Sequence, residues 1–280
     1  GTRAKNLIKK KLALTLCGNK NIAFDNIEIL SRDKKTKLIN IKDIKKLPNN
    51  IRKTILKDLK KIVVKRKNLN KHINISEPII MGILNQTPDS FSDGGLYVQP
   101  KKAFIHINNM ISKGADIIDV GGESTKPGSK DIPHKVEWKR LEKIIINFKK
   151  KFPKIFLSID TRKSEVMLKA IKHKSDLVND VSGFNYDQKA INKIKNYDVW
   201  KVLHHMQGTP TTMQIKPNYK NVLLDVFDFF EKKINTDFKN FKHKKFIIDP
   251  GIGFGKNLKH NLILIHNISL FHSLGFPLLI

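Results

Sequence analysis

One cysteine, Cys17, stands among 280 residues, so no internal disulfide can form and a reducing compartment is expected. No uninterrupted apolar run approaches the ~20 residues that span a bilayer, so the chain is expected to be soluble and without a membrane partner. It starts at Gly1 with no charged-then-apolar leader, which predicts a cytoplasmic protein or a piece of one. Acids are scarce, 25 against 54 Lys plus Arg, for a net charge of +29. The GxxxxGK[ST] phosphate loop, the G-x-G-x-x-G dinucleotide fingerprint and the G-x-S-x-G nucleophile elbow are also missing. These absences argue against a P-loop nucleotidase, a dinucleotide oxidoreductase and a serine hydrolase.

The basic excess is unevenly spread. Residues 1–77 carry 22 basic and 6 acidic side chains, net +16, and residues 78–280 carry 32 and 19, net +13. Most of it is Lys beside plentiful Asn and Ile, a compositional bias, so nucleic acid is not an expected partner. The front zone holds two β-like runs, Leu12–Leu16 and Ile22–Leu30, around Gly18-Asn19. A helix is expected from about Ile51 to Lys65, with Ile51, Ile55, Leu59 and Ile62 on one face that packs on its own domain.

At Pro78 the pattern changes. Apolar runs recur at 79–84, 116–120, 155–159, 177–181, 199–203, 245–248 and 276–280, with amphipathic stretches between them. Repeated β–α units predict a parallel sheet buried on both faces, with seven countable strands. Polar residues gather just past the strand ends: Asn85, Glu123 with Thr125, Asp160, Asn179 with Asp180, His204 with His205, and Asp249. In a closed barrel those ends converge on one mouth, so an α/β fold of the TIM (β/α)8 type is favoured over an open doubly wound sheet. His204 and His205 point to opposite faces of a strand and do not make a shared metal site. Carboxylates with an amide suit a nitrogen heterocycle rich in N–H donors, and the glycine- and hydroxyl-rich loop 121–129 suits a phosphate.

In order, the segments MGILNQTPDSFSDGG (Met81–Gly95), GADIIDVGGESTKPGS (Gly114–Ser129), SIDTRKSEV, LVNDVSG, HMQGTPTTMQ and IIDPGIGFGKNLKHN resemble the signature loops of the dihydropteroate synthase family. The resemblance runs from about Pro78 to the last residue. It implies a pterin-binding barrel over 78–280, behind a basic N-terminal α+β extension (1–77) of unassigned role. It implies a transferase of folate synthesis that joins 6-hydroxymethyl-7,8-dihydropterin diphosphate to 4-aminobenzoate, releasing diphosphate. Asp160 and Asp249 would be catalytic, and with Asn179 would bind the pterin. Thr125 and Lys126 would face the diphosphate. Phe91, Asp93, Pro127, Gly253 and Phe254 would line the substrate side, and Asn85 would ligate Mg²⁺. A homodimer is the implied assembly.

Three departures from the family pattern stand out. Lys126 replaces a common arginine, which turns a bidentate phosphate contact into a point charge. His204 replaces a common methionine beside the pterin. The family's later Ser-Arg-Lys and Arg-x-His motifs do not occur before Ile280, so the barrel is expected to lack its last unit. Two other readings fit the residues less well: a pterin-binding methyltransferase barrel of the corrinoid kind, and an inactive basic binding module.

Overall fold

Strands five to ten of the chain are parallel and neighbours in sequence are neighbours in space, the arrangement that repeated β–α units impose. The computed structural model describes residues 1–87, 100–124, 129 and 131–280. The six strands are β5 (Met81–Asn85), β6 (Ile117–Gly121), β7 (Phe156–Asp160), β8 (Leu177–Asp180), β9 (Trp200–His204) and β10 (Phe246–Asp249), paired in that order. Helices α3 (Pro100–Ser112), α4 (His134–Lys151), α5 (Ser164–Lys172), α6 (Ala190–Ile194) and α7 (Val222–Asn235) alternate with them, and α8 (Leu258–His266) follows β10. The expected seventh strand, 276–280, is reduced to one parallel bridge, Leu278 to Ile248. It is held by Ile248 N–H to Pro277 O and Leu279 N–H to Ile248 O, each 2.9 Å. Pro277 offers no N–H to a ladder and follows the left-handed Gly275 at the end of a 3₁₀ turn, Ile268–Leu274.

The two faces of the sheet carry different cores. Leu84, Ile118, Val120, Leu157, Ile159, Val178, Leu203 and Ile248 point outward and pack against helix residues such as Leu141, Ile145 and Val226. Ile117, Phe156, Leu177, Trp200, Val202 and Ile247 point inward and form a second cluster. Period-two alternation separates the sets.

Packing runs straight across Pro78. The front zone forms α1 (Thr2–Lys9), two hairpins from β1 (Leu14–Leu16) with β2 (Asn19–Phe24) and β3 (Asn26–Ile29) with β4 (Lys37–Asn40), and α2 (Asn49–Val63). Ile55 and Leu59 of α2 build a small core with Ile44, as the helix periodicity predicts, whereas Ile51 stays exposed. Leu69 and Ile73, further along this zone, are buried in the inner cluster beneath the sheet. Arg66 reaches the carbonyl of His272 at 2.9 Å, and Arg32 spans Asp225 and Asp228 of α7 at 2.7 and 2.6 Å.

Candidate active site

Strand register builds the mouth. Asn85 is paired with Gly121, Gly121 with Asp160, and Asp160 with Asn179, so four strand ends present their inward residues at one level. Gly121 is required by crowding: a Cβ there would stand 3.0 Å from Asp160 Oδ2 and 3.3 Å from Asn85 Oδ1. Its missing side chain lets the exposed Asn85 amide and the half-buried Asp160 carboxylate flank one gap. On the far side, Asp249 is in register with His204.

Some polar atoms at this level and just below it have no protein partner. Asn179 Nδ2 donates to Asp119 Oδ2 at 2.9 Å, but Asn179 Oδ1 and Asp119 Oδ1 are buried and unpaired. Burial pushes the Asp119 carboxyl above its ordinary range, and the neighbouring Ser158 hydroxyl and then the Asn179 amide offset this in part. Asp160 is held well above the usual carboxylate range by burial first, then by the negative charge of Asp119, Glu137, Asp180 and Glu123. Asp249 accepts from the Gly251 amide at 2.8 Å and pairs with His204 Nδ1 at 3.1 Å. Gly251 has φ +69°, and a Cβ would stand 2.0 Å from the His205 carbonyl, so only glycine turns the chain here. A basic chain thus carries an acidic mouth, a field that favours positive charge on whatever binds there.

A buried charge staple secures the loop after β6. Glu123 receives Arg162 Nη2 and Lys163 Nζ, each at 2.7 Å, and the amide of Ile132 at 3.1 Å. Asp131 takes Arg162 at 3.1 Å and the Tyr186 hydroxyl, and Lys163 also reaches Glu137 at 2.9 Å. Both ends of segment 123–131 are therefore tied to the cations that follow Asp160.

Of the residues singled out from sequence, Asn85, Asp160 and Asn179 share the mouth, and Asp249 joins them from β10. Gly253 and Phe254 lie on the loop beyond it, with the Phe254 ring edge-on to His204 at 4.7 Å. Phe91, Asp93, Thr125, Lys126 and Pro127 lie outside the described residues. Sequence reasoning passed over Asp119, which sits two residues before Gly121 and therefore on its inward face, and over the pairing of Arg162 and Lys163 with Glu123. The histidines part as expected: His205 turns away from Asp249, its ring pushed down to about 3 by burial and held by Lys256 at 3.0 Å.

The model of pterin binding enzymes matches residues 81–280. A dihydropteroate synthase of Haemophilus influenzae is 37% identical over 211 residues, which cover 75% of this chain and 76% of that protein. The chain belongs to the dihydropteroate synthase family. Among solved structures, a dihydropteroate synthase of Yersinia pestis in complex with a sulfonamide drug superposes with a TM-score of 0.69 at 36% identity, covering 74% of each chain. That of Xanthomonas albilineans with 4-aminobenzoic acid has a TM-score of 0.66 at 33% identity, covering 74% of this chain and 73% of that one. Family membership places the fold among the pterin-binding TIM-type barrels, of which the described strands form a six-stranded parallel part. No helix among the described residues is long and apolar enough to cross a membrane.

Proposed function

We propose that the chain condenses 6-hydroxymethyl-7,8-dihydropterin diphosphate with 4-aminobenzoate, giving 7,8-dihydropteroate and diphosphate. The observation that carries this reading is the pair of buried, unpartnered acceptors Asn179 Oδ1 and Asp119 Oδ1 on the inward sheet face that also carries Asp160 and Asp249. Buried polar atoms without partners cost stability unless a ligand pairs them, and a pterin edge offers N–H donors in that arrangement. The bond from the pterin methylene carbon to the bridging oxygen breaks, its electrons leaving with diphosphate. The delocalised pterin cation so formed is stabilised by the preorganised charge of Asp160 and Asp249. The amine of 4-aminobenzoate then attacks that carbon and loses a proton. The relatives that match at 37% identity are named as synthases, which favours this reaction over methyl transfer.

Asn85 fits Mg²⁺ that arrives with the substrate. It offers one hard amide oxygen at the mouth, and no group of three or more His, Cys, Asp or Glu able to hold an ion exists among the described residues. Bound there, Mg²⁺ would stabilise the leaving diphosphate. Thr125 and Lys126 would meet the same phosphates, and Phe91, Asp93, Pro127, Gly253 and Phe254 would line the aminobenzoate side. We also propose a homodimer in the cytoplasm. In its favour, Leu258, Leu262 and Ile265 lie at i, i+4 and i+7 of α8 and are 75%, 58% and 48% exposed.

The test is to supply both substrates and Mg²⁺ and follow diphosphate release together with dihydropteroate by chromatography. Diphosphate release that does not depend on 4-aminobenzoate, with no dihydropteroate formed, would contradict the reading.

A further inference from the structure

We infer that His204 is the positioning residue for Asp249: its Nδ1–H fixes the carboxylate in the orientation that meets the pterin. This rests on the function proposed above and adds a residue to the site that the family pattern does not supply, since methionine is common at this place. Three observations carry it. The ring stands in register with Asp249 on the inward face, with Nδ1 at 3.1 Å from Asp249 Oδ2. It is 3% exposed and clamped edge-on against Phe254 at 4.7 Å. Its other nitrogen, Nε2, is buried with no protein partner.

These facts set the tautomer. A carboxylate oxygen only accepts, so the hydrogen between the two groups sits on Nδ1. The two oxygens of Asp249 are then divided between fixed donors, Oδ1 to the Gly251 amide and Oδ2 to His204. Each oxygen keeps further lone pairs for the ligand, but the plane of the carboxylate no longer turns. A methionine there would leave Oδ2 without this donor, and the carboxylate would have one anchor instead of two. The unpaired Nε2 gives the pocket a further polar atom that a thioether matches only weakly.

Three variants of the whole chain separate positioning from packing. His204→Met fills the space without a donor, His204→Asn returns an N–H near the position of Nδ1, and Asp249→Asn tests the carboxylate itself. Pterin diphosphate affinity is read by calorimetry, the KM for each substrate by turnover, and the ring tautomer by ¹⁵N-correlated NMR. Expected are an Nδ1–H signal in the parent and an affinity loss of about tenfold for His204→Met, the size of one charge-assisted contact. His204→Asn should recover most of that loss, and the KM for 4-aminobenzoate should stay within about twofold in both. An Nε2–H tautomer, or equal affinity for His204→Met and the parent while Asp249→Asn binds poorly, would overturn the inference alone. Unchanged pterin binding in Asp249→Asn would instead overturn the functional reading on which it stands.

Discussion

The indole N–H of Trp200 donates to the carbonyl of Leu69 at 3.0 Å, joining the start of β9 to the basic front zone. Leu69 and Ile73 close the lower end of the inner cluster, the end opposite the acidic mouth. The segment around them therefore belongs to the barrel's core, whatever the composition at Pro78 suggests. Leu69→Ala should lower unfolding free energy by about 2–4 kcal/mol, the usual cost of truncating a buried leucine. Chemical denaturation measures it, and a loss under about 0.5 kcal/mol would show that the segment merely rests on the sheet.

Asp180 supplies a pH test that does not involve substrate. Its fully buried carboxyl is raised from its ordinary value to about 6, by burial above all, although Ser182 donates from both its amide and hydroxyl. A folded pKa above the unfolded one means that the native state holds the proton more tightly. The contribution is complete below about pH 4 and is lost as pH rises through 6. Stability should fall by roughly 2–3 kcal/mol from this group across that window. Asp180→Asn should flatten the slope between pH 4 and 6. An unchanged slope in melts taken across that range would assign the proton uptake to other groups.

Much of the fold and part of the mouth could be read from sequence because both rest on local pattern. The runs 116–120, 155–159 and 177–181 match β6, β7 and β8 to within a residue at each end, since a strand buried on both faces is written as an apolar stretch. The strand-end rule found Asn85, Asp160, Asn179 and Asp249. It missed contacts between distant residues whose types looked ordinary. Asp119 sits inside an apolar run and reads as an interruption until its carboxylate is seen to accept from the Asn179 amide across β7. Lys201, at the centre of the run 199–203, is fully buried and reaches the Tyr197 carbonyl at 3.1 Å. Burial lowers it to about 8, a tertiary fact that no periodicity announces. The hairpin strand β4 and helix α1 escaped notice because lysines dilute their patterns.

The charge staple can be broken from one side. Glu123 is 5% exposed and carries two cations that are themselves nearly buried. Glu123→Gln keeps the shape but leaves Arg162 and Lys163 with Asp131 and Glu137 alone. Removing one partner of a buried cluster costs about 3–5 kcal/mol. The loop 123–131 should then lose its anchor, so the KM for 4-aminobenzoate should rise severalfold while pterin affinity changes little. Steady-state kinetics with each substrate varied in turn would decide. Equal loss for both substrates would indicate general unfolding of the mouth instead.

Metal affinity offers the last test, and it separates a resident ion from one carried by substrate. Asn85 is neutral and stands 3.3 Å from where a Cβ of Gly121 would lie, in a gap shared with Asp160. Asp160 is pushed well above the ordinary carboxylate range by burial and neighbouring acids. One neutral amide beside a single carboxyl group cannot strip Mg²⁺ of its water, which needs several charged oxygens. Diphosphate brings those charges. Calorimetric titration with Mg²⁺ alone should therefore show no binding below the millimolar range. The same titration with diphosphate present should show binding to the protein at least tenfold tighter than in Asn85→Ala. Tight binding by the protein alone, or no difference between the parent and Asn85→Ala, would remove Asn85 from the metal's path.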